Sequence, residues 1–231
     1  MRIGLFVYNF PHFKTTQGLA KLFYKGIKVD VVFGADPVPL NFYQSKTRVS
    51  PKFSYLPHPK DLCSVYGLDY YVVKHNSPET IDLIKSYNLD LGIILGARIL
   101  SKNVINAFNI GILNMHPGLI PENRGLDNLK WAIIDDLPQA VTTHLISTDI
   151  DMGSIIDRKS IPIYKDDTLV DIHLRLQELE LEMMISALPI IDSNAELSSS
   201  CHEGKYNMSV PLEIESELFD AFDIYKSKYG I

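Results

Sequence analysis

The sequence predicts an α/β fold: a Rossmann-like, mostly parallel sheet flanked by helices, with a short C-terminal extension. Three observations lead there. Short runs rich in strand formers recur at Arg2 to Tyr8, Val29 to Phe33, Asp69 to Val73 and Leu91 to Leu95, as strands covered on both faces do. A helical stretch from about Thr16 to Tyr24 separates the first two, the spacing of a right-handed crossover unit. The chain has 231 residues, 46% of them hydrophobic, enough to fill one sizeable core or a large domain with a small appendage.

Composition excludes several functions. Charged residues make up 22% of the chain, so wholesale disorder is not expected. The net charge is -6, without a long basic block, which argues against nucleic-acid binding through phosphate neutralisation. Cys63 and Cys201 lie far apart, with no metal-type pairing and no disulfide framework, which points to a reducing cytoplasm. Neither a cleavable leader nor an apolar run approaching ~20 residues is present, so no membrane partner is expected.

The elements follow in order. After the first strand comes Asn9-Phe10-Pro11-His12-Phe13, a turn without the spaced glycines of a dinucleotide fingerprint. Residues 34–66 hold five of the thirteen prolines, which argues against a central strand or a long helix and leaves a mobile loop or a binding lid. Ser77 or Asn76 caps a helix that Pro78 opens. Leu91 to Leu95 is the central strand, and Gly96 and Ala97 bare its carboxyl end, where open parallel sheets bind ligands. A short helix follows Ser101. Gly111 to Met115 is the next strand, with Asn114 and His116 on one face and Met115 on the other. A helix is expected from Asp127 to Asp135, strands from Ala140 to Ser147 and from Ser154 to Ile163, and a turn between them at Thr148 to Gly153. Pro162 marks the last strand as an edge.

The longest helix starts at a cap, Asp167 or Thr168. Leu169, Ile172, Leu176, Leu179 and Met183 face the core, and Pro189 should kink or end it. Residues 193–204 read as a polar linker. From Pro211 to Tyr229 one amphipathic helix carries Ile214, Leu218, Phe222 and Tyr225 on its apolar stripe.

Chemistry concentrates between Leu113 and Gly153. Asn114 offers amide donors, His116 an imidazole, and Asp151 a carboxylate to hold an imidazolium and accept protons. Together they suit acyl transfer: two oxyanion stabilisers and a proton acceptor. No serine or cysteine sits in a nucleophile elbow, which favours direct transfer over a covalent intermediate. Singly, each residue has a plain structural use: Asn114 as a turn former, His116 as a core histidine, Asp151 as a turn residue beside Gly153. A zinc site from His116, His144 and Asp151 matches no common ligand spacing, and no metal is expected.

The ordered set Asn114-Met115-His116-Pro117-Gly118-Leu119-Ile120-Pro121, Arg124-Gly125, Val141-Thr142-Thr143-His144 and Asp149-Ile150-Asp151-Met152-Gly153 resembles the folate-dependent formyltransferase family. The likeness runs from about Leu91 to Leu188. It implies a catalytic domain over residues 1–190 and a linker with a helical extension over 191–231. It also implies Asn114, His116 and Asp151 as catalytic residues, with His144 in support. The formyl donor would be 10-formyltetrahydrofolate, its pterin held against Leu95, Gly96, Ala97, Arg98, Ile99 and Leu100 and the loop carrying Asp149. Arg124 and Gly125 would bind substrate.

Among the branches of that family, the glycinamide ribonucleotide enzymes have a Gly-Ser-Asn phosphate loop where this chain reads Tyr8-Asn9-Phe10-Pro11. The tRNA enzymes carry a further domain, for which this acidic chain is too short; Phe10-Pro11-His12-Phe13 only faintly echoes their first loop. The sugar N-formyltransferases are most similar, at His116-Pro117-Gly118 and Asn123-Arg124-Gly125. The resemblance therefore implies a cytoplasmic homodimer that N-formylates a nucleotide-linked amino deoxysugar, of dTDP type, in a surface-polysaccharide pathway. Its rivals are a glycinamide ribonucleotide or other amine formyltransferase, a non-enzymatic folate- or nucleotide-binding protein, and a hydrolase of the formyl donor.

Overall fold

A computed structural model describes residues 1–39, 45–148, 153–193 and 204–231. Asp149 and Asp151 lie outside these described residues.

The first half alternates strand and helix as expected. β1 (Ile3–Tyr8), α1 (Phe13–Tyr24), β2 (Val31–Ala35), α2 (Pro59–Tyr66), β3 (Asp69–Val72), α3 (Pro78–Ser86) and β4 (Leu91–Ile94) come first, then α4 (Lys102–Ile105) and β5 (Gly111–His116). β6 (Arg124–Gly125), α5 (Asn128–Ile134), β7 (Ala140–Leu145), β8 (Ser154–Ser160) and α6 (Leu169–Asp192) follow. The end holds β9 (Tyr206–Asn207), α7 (Leu212–Glu215) and α8 (Leu218–Tyr229). The main sheet has the order β3-β2-β1-β4-β5-β7-β8. β1 to β5 pair in parallel, while β7 runs antiparallel to both β5 and β8.

Alternation along the strands splits the core in two. Leu5, Val7, Leu91, Ile93, Leu113 and Met115 join residues of α1, α2, α6 and α8 in one buried cluster. Phe6, Phe33 and Ile112 join residues of α3 and α4 in the other. Both faces of the parallel strands are thus covered, which is why those strands carry so little polar alternation.

Local chemistry sets the helix ends. The Ser77 side chain accepts from Thr80 N with Pro78 in the first turn, and Thr168 forms a capping box with Asp171.

Four expectations need correction. The proline-rich stretch contains α2: Pro59 takes the first turn, the His58 ring accepts from Lys60 N, and Gly67 ends it in the left-handed region. Pro189 neither ends nor breaks α6, which continues to Asp192; the proline forgoes only its own N–H bond, and Ser193 N still bonds back to Pro189 O. β5 extends to His116, one residue beyond its expected end. The tail is two helices, and the stripe fails at Ile214, which is 38% exposed, while its neighbour Glu215 is buried. Glu215 turns inward because its partner, Lys130, is buried on α5: Lys130 Nζ lies 2.6 Å from Glu215 Oε1.

The tail packs on the rest of the chain. Leu218, Phe222 and Tyr225 belong to the same buried cluster as α6, and Tyr225 Oη donates to Leu137 O at 2.7 Å. Trp131 Nε1 donates to Met208 O at 2.7 Å.

Candidate active site

β4 stops pairing with β5 at Leu113, so the last residues of β5 project past the sheet's parallel part. On the other side β7 continues, placing Asn114 opposite His144 and His116 opposite Thr142. Asn114 and His116 share a face by strand alternation.

Asn114 Nδ2 lies 3.2 Å from His144 Nε2. An amide nitrogen only donates, so His144 Nε2 accepts and the neutral ring carries its proton on Nδ1. The amide nitrogen has a second hydrogen to give elsewhere. His116 Nε2 lies 2.8 Å from Asn123 O, and a carbonyl only accepts, so Nε2 bears a proton. Any hydrogen bond that His116 gives a reacting oxygen comes from Nδ1, which carries a proton only in the imidazolium. Both rings are buried.

The turn after β5 is built to hold that ring. Thr142 Oγ1 donates to Gly118 O at 2.7 Å and accepts from Ile120 N at 3.1 Å. The Ile120–Pro121 peptide is cis. A Cβ on Gly118 would stand 2.5 Å from Asn123 O and 2.8 Å from His116 Nε2, so only glycine lets the turn close on the ring. Asn123 is itself fixed: its Nδ2 donates to Asn128 O at 2.8 Å, and Asn207 Nδ2 donates to its Oδ1 at 2.9 Å.

Arg124 and Gly125 form β6, paired with β9. Arg124 is buried, and its Nη2 donates to Gly204 O at 3.1 Å. Gly125 has φ +95, and a Cβ there would stand 2.1 Å from Asn207 O. These two residues join the turn to the tail.

At the end of β4, Leu95 N and Gly96 N both donate to Phe6 O, at 2.9 and 3.0 Å. Tyr8 Oη donates to Ala97 O at 2.9 Å, and the Tyr8 ring closes on Gly96, where a Cβ would be 2.8 Å away. Leu100 is buried, Arg98 and Ile99 are exposed, and Ile99 O accepts from Asn76 Nδ2 at 2.9 Å. Arg98 borders a cavity of about 830 Å³ with Tyr8, Phe10, Asp36, Lys74 and His75. The Tyr8 and Phe10 rings stack there, 5.0 Å apart. A second cavity, of about 180 Å³, opens beside Pro117 and is lined by Asp127, Lys130, His173, Gln177 and Glu180.

A formyl transferase family model matches residues 1–188. The chain belongs to the formyl transferase family. A methionyl-tRNA formyltransferase of Azobacteroides pseudotrichonymphae is 30% identical over 149 residues, 63% of this chain and 46% of its own length. The chain therefore spans about half the length of that relative. Among solved structures, glycinamide ribonucleotide transformylase 1 of Symbiobacterium toebii has a TM-score of 0.65 at 19% identity, covering 87% of this chain and 94% of its own. The formyltransferase PseJ of Anoxybacillus kamchatkensis, in complex with UDP-4,6-dideoxy-4-formamido-L-AltNAc and tetrahydrofolate, has a TM-score of 0.59 at 16% identity, covering 96% and 94%. At such identities the structures share the fold with this formyl transferase family member. The family's formyl donor is formyl-tetrahydrofolate.

Residues of this chain suit a folate. The main chain from Gly96 to Ile99 lies at the sheet's carboxyl edge, with Arg98 and the Tyr8–Phe10 ring pair beside it for an aromatic acid.

Four residues that frame the site have no role in the sequence reading: Asn123 and Thr142, which appear there only as parts of motifs, and Lys14 and Glu180, which do not appear. Glu180 left one signal. It sits on the helical spacing of Leu176 and Met184, where a carboxylate would be buried.

Proposed function

We propose that this chain transfers a formyl group from 10-formyltetrahydrofolate to a primary amine, and that the amine belongs to a nucleotide-linked amino deoxysugar. The observation that carries the reading is the contact of Asn114 with His144 at the end of β5, with His116 on the same face of that strand, inside the segment matched by the family.

The amine attacks as the neutral base. Its nitrogen bonds to the formyl carbon while the bond from that carbon to the folate nitrogen breaks. Asn114 gives its second Nδ2 hydrogen to the formyl oxygen, where negative charge develops. His116, as imidazolium, donates from Nδ1 to the same oxygen. Asp151 stabilises the imidazolium by its charge, takes the amine's proton and passes it to the departing folate nitrogen, so that tetrahydrofolate leaves neutral. A preorganised donor of this kind is typically worth ~3 kcal/mol of barrier.

Three observations support a sugar acceptor. The loop after β1 reads Tyr8-Asn9-Phe10-Pro11, with aromatic rings where a ribose phosphate would need bare amides. The cavity beside Pro117 offers Asp127 and Gln177 to a hydroxylated ring. The PseJ structure, which holds a UDP-linked formamido sugar, aligns over nearly the whole of both chains.

The experiment is turnover of 10-formyltetrahydrofolate with a panel of nucleotide-linked aminosugars, glycinamide ribonucleotide and methionyl-tRNA, read by tetrahydrofolate release. Asn114→Ala should lower kcat by ~10²–10³ with the fold intact. Normal turnover by that variant, or donor consumption without any amine, refutes the reading.

A further inference from the structure

Lys14 and Glu180 are 166 residues apart in sequence, and their side chains meet beneath the end of β5. Lys14 Nζ lies 2.6 Å from Glu180 Oε1 and donates to Met115 O at 3.3 Å. Met115 O belongs to the peptide that joins Met115 to His116, past the point where β4 last pairs with β5. The ion pair is mostly dry: side-chain exposure is 17% for Lys14 and 6% for Glu180.

We infer that Lys14 and Glu180 are positioning residues for formyl transfer. Lys14 fixes the peptide that joins Met115 to His116, and Glu180 cancels the positive charge that Lys14 would otherwise impose on the His116 ring. The inference rests on the proposed role of His116 as an imidazolium donor.

The surrounding charges bear this out. Burial first and Lys14 second push the His12 ring down to about 4, and the same two causes lower His173. Lys14 thus disfavours imidazolium around it. Burial raises the Glu180 carboxyl, whereas Lys14 and His116 favour its charged form. Opposite charges on Glu180 and His116 therefore stabilise each other. Among the described residues, the ionisable groups toward the end of β5 include His12 and Lys14 from the α1 end, Arg124 next to Asn123, His144 from β7, His173 and Glu180 from α6, and Asp127 and Lys130 beside Pro117, the last paired with Glu215. Asn123, the main-chain partner of Nε2, carries no charge.

Two measurements test the pair, and one needs no turnover. In protein with labelled histidines, NMR titration follows the His116 ring, assigned by its loss in His116→Gln. Glu180→Gln should lower the His116 midpoint by about one pH unit. The alkaline limb of kcat should move down with it, with KM for donor and acceptor unchanged within twofold. Lys14→Met removes the clamp and should lower kcat about tenfold at every pH, because a small misplacement of the reacting groups is costly. Lys14→Arg, which keeps charge and reach, should recover most of it. Lys14 sits at the more exposed end, so its variants report even if Glu180→Gln folds poorly.

An unchanged midpoint in Glu180→Gln, or a Lys14→Met enzyme with normal kcat, overturns the inference. So does a loss confined to the acceptor KM, which would put Glu180 on the acceptor instead. If the midpoint moves and no amine is formylated by the unaltered protein, the electrostatic pair stands and the formyl-transfer reading fails.

Discussion

Replacing Glu215 by glutamine tests how the tail is held. Lys130 and Glu215 are each 2% exposed at the side chain and lie 2.6 Å apart. Ser45 Oγ also donates to Glu215 Oε1, and Lys46 N donates to Oε2 at 2.9 Å. One carboxylate thereby joins α5, α7 and the proline-rich segment. Burial alone would raise its carboxyl; the bonds from Lys130, Ser45 and Lys46 outweigh burial and hold it at about 2, against an ordinary 4.5. By linkage that difference corresponds to about 3 kcal/mol of stability. The sign follows from the lowered value: the contribution is complete above 4.5 and drains away as pH falls toward about 2. Glu215→Gln leaves the buried Lys130 ammonium with only the more distant Asp127 carboxylate, at 3.7 Å, as counter-charge, which costs about 3–5 kcal/mol. At roughly 2–4 °C per kcal/mol for a chain of this size, Tm should drop by roughly 6–20 °C at neutral pH. The drop should shrink in acid, where the unaltered protein has lost the same stabilisation. Lys130→Met combined with Glu215→Leu should recover most of it. Scanning calorimetry across pH is the assay. A Tm within about 2 °C of the parent at neutral pH would show that the buried pair does not hold the tail.

Two further outcomes are expected. Gly118→Ala forces the turn off the His116 ring and breaks its 2.8 Å bond to Asn123, so kcat should fall about 10–100-fold, the equivalent of roughly 1.5–3 kcal/mol; unchanged kinetics in a folded variant would contradict the role given to that turn. Burial pushes the Cys63 thiol up to about 12, so in a Cys201→Ser background native protein at pH 8 should resist iodoacetamide until it unfolds, and rapid labelling of the folded chain would contradict the burial.

Particular elements show what could be read in advance. β1, β4 and α3 announce themselves because their causes are local: a run of strand formers, a capping serine, a proline at a first turn. The motif around Asn114 and His116 is contiguous and was legible too, as was the resemblance it carries. By contrast, α2 was hidden by its prolines, since the same residue that forbids a helix interior opens a helix at its first turn. The split of the tail into α7 and α8 was hidden because Glu215 faces inward only when Lys130 is waiting for it. The pairing of Arg124 and Gly125 with residues 206 and 207, more than 80 positions away, left no mark in the sequence either.

The sequence by itself determined the layered α/β architecture and the candidate reacting groups on β5, because hydrophobic period, caps and short motifs are properties of neighbouring residues. Only the tertiary structure decided which nitrogen of His116 meets Asn123, what holds the Met115–His116 peptide in place, and where the buried charges find their partners. Those depend on contacts between residues such as Lys14 and Glu180, whose separation along the chain carries no signal until the chain is folded.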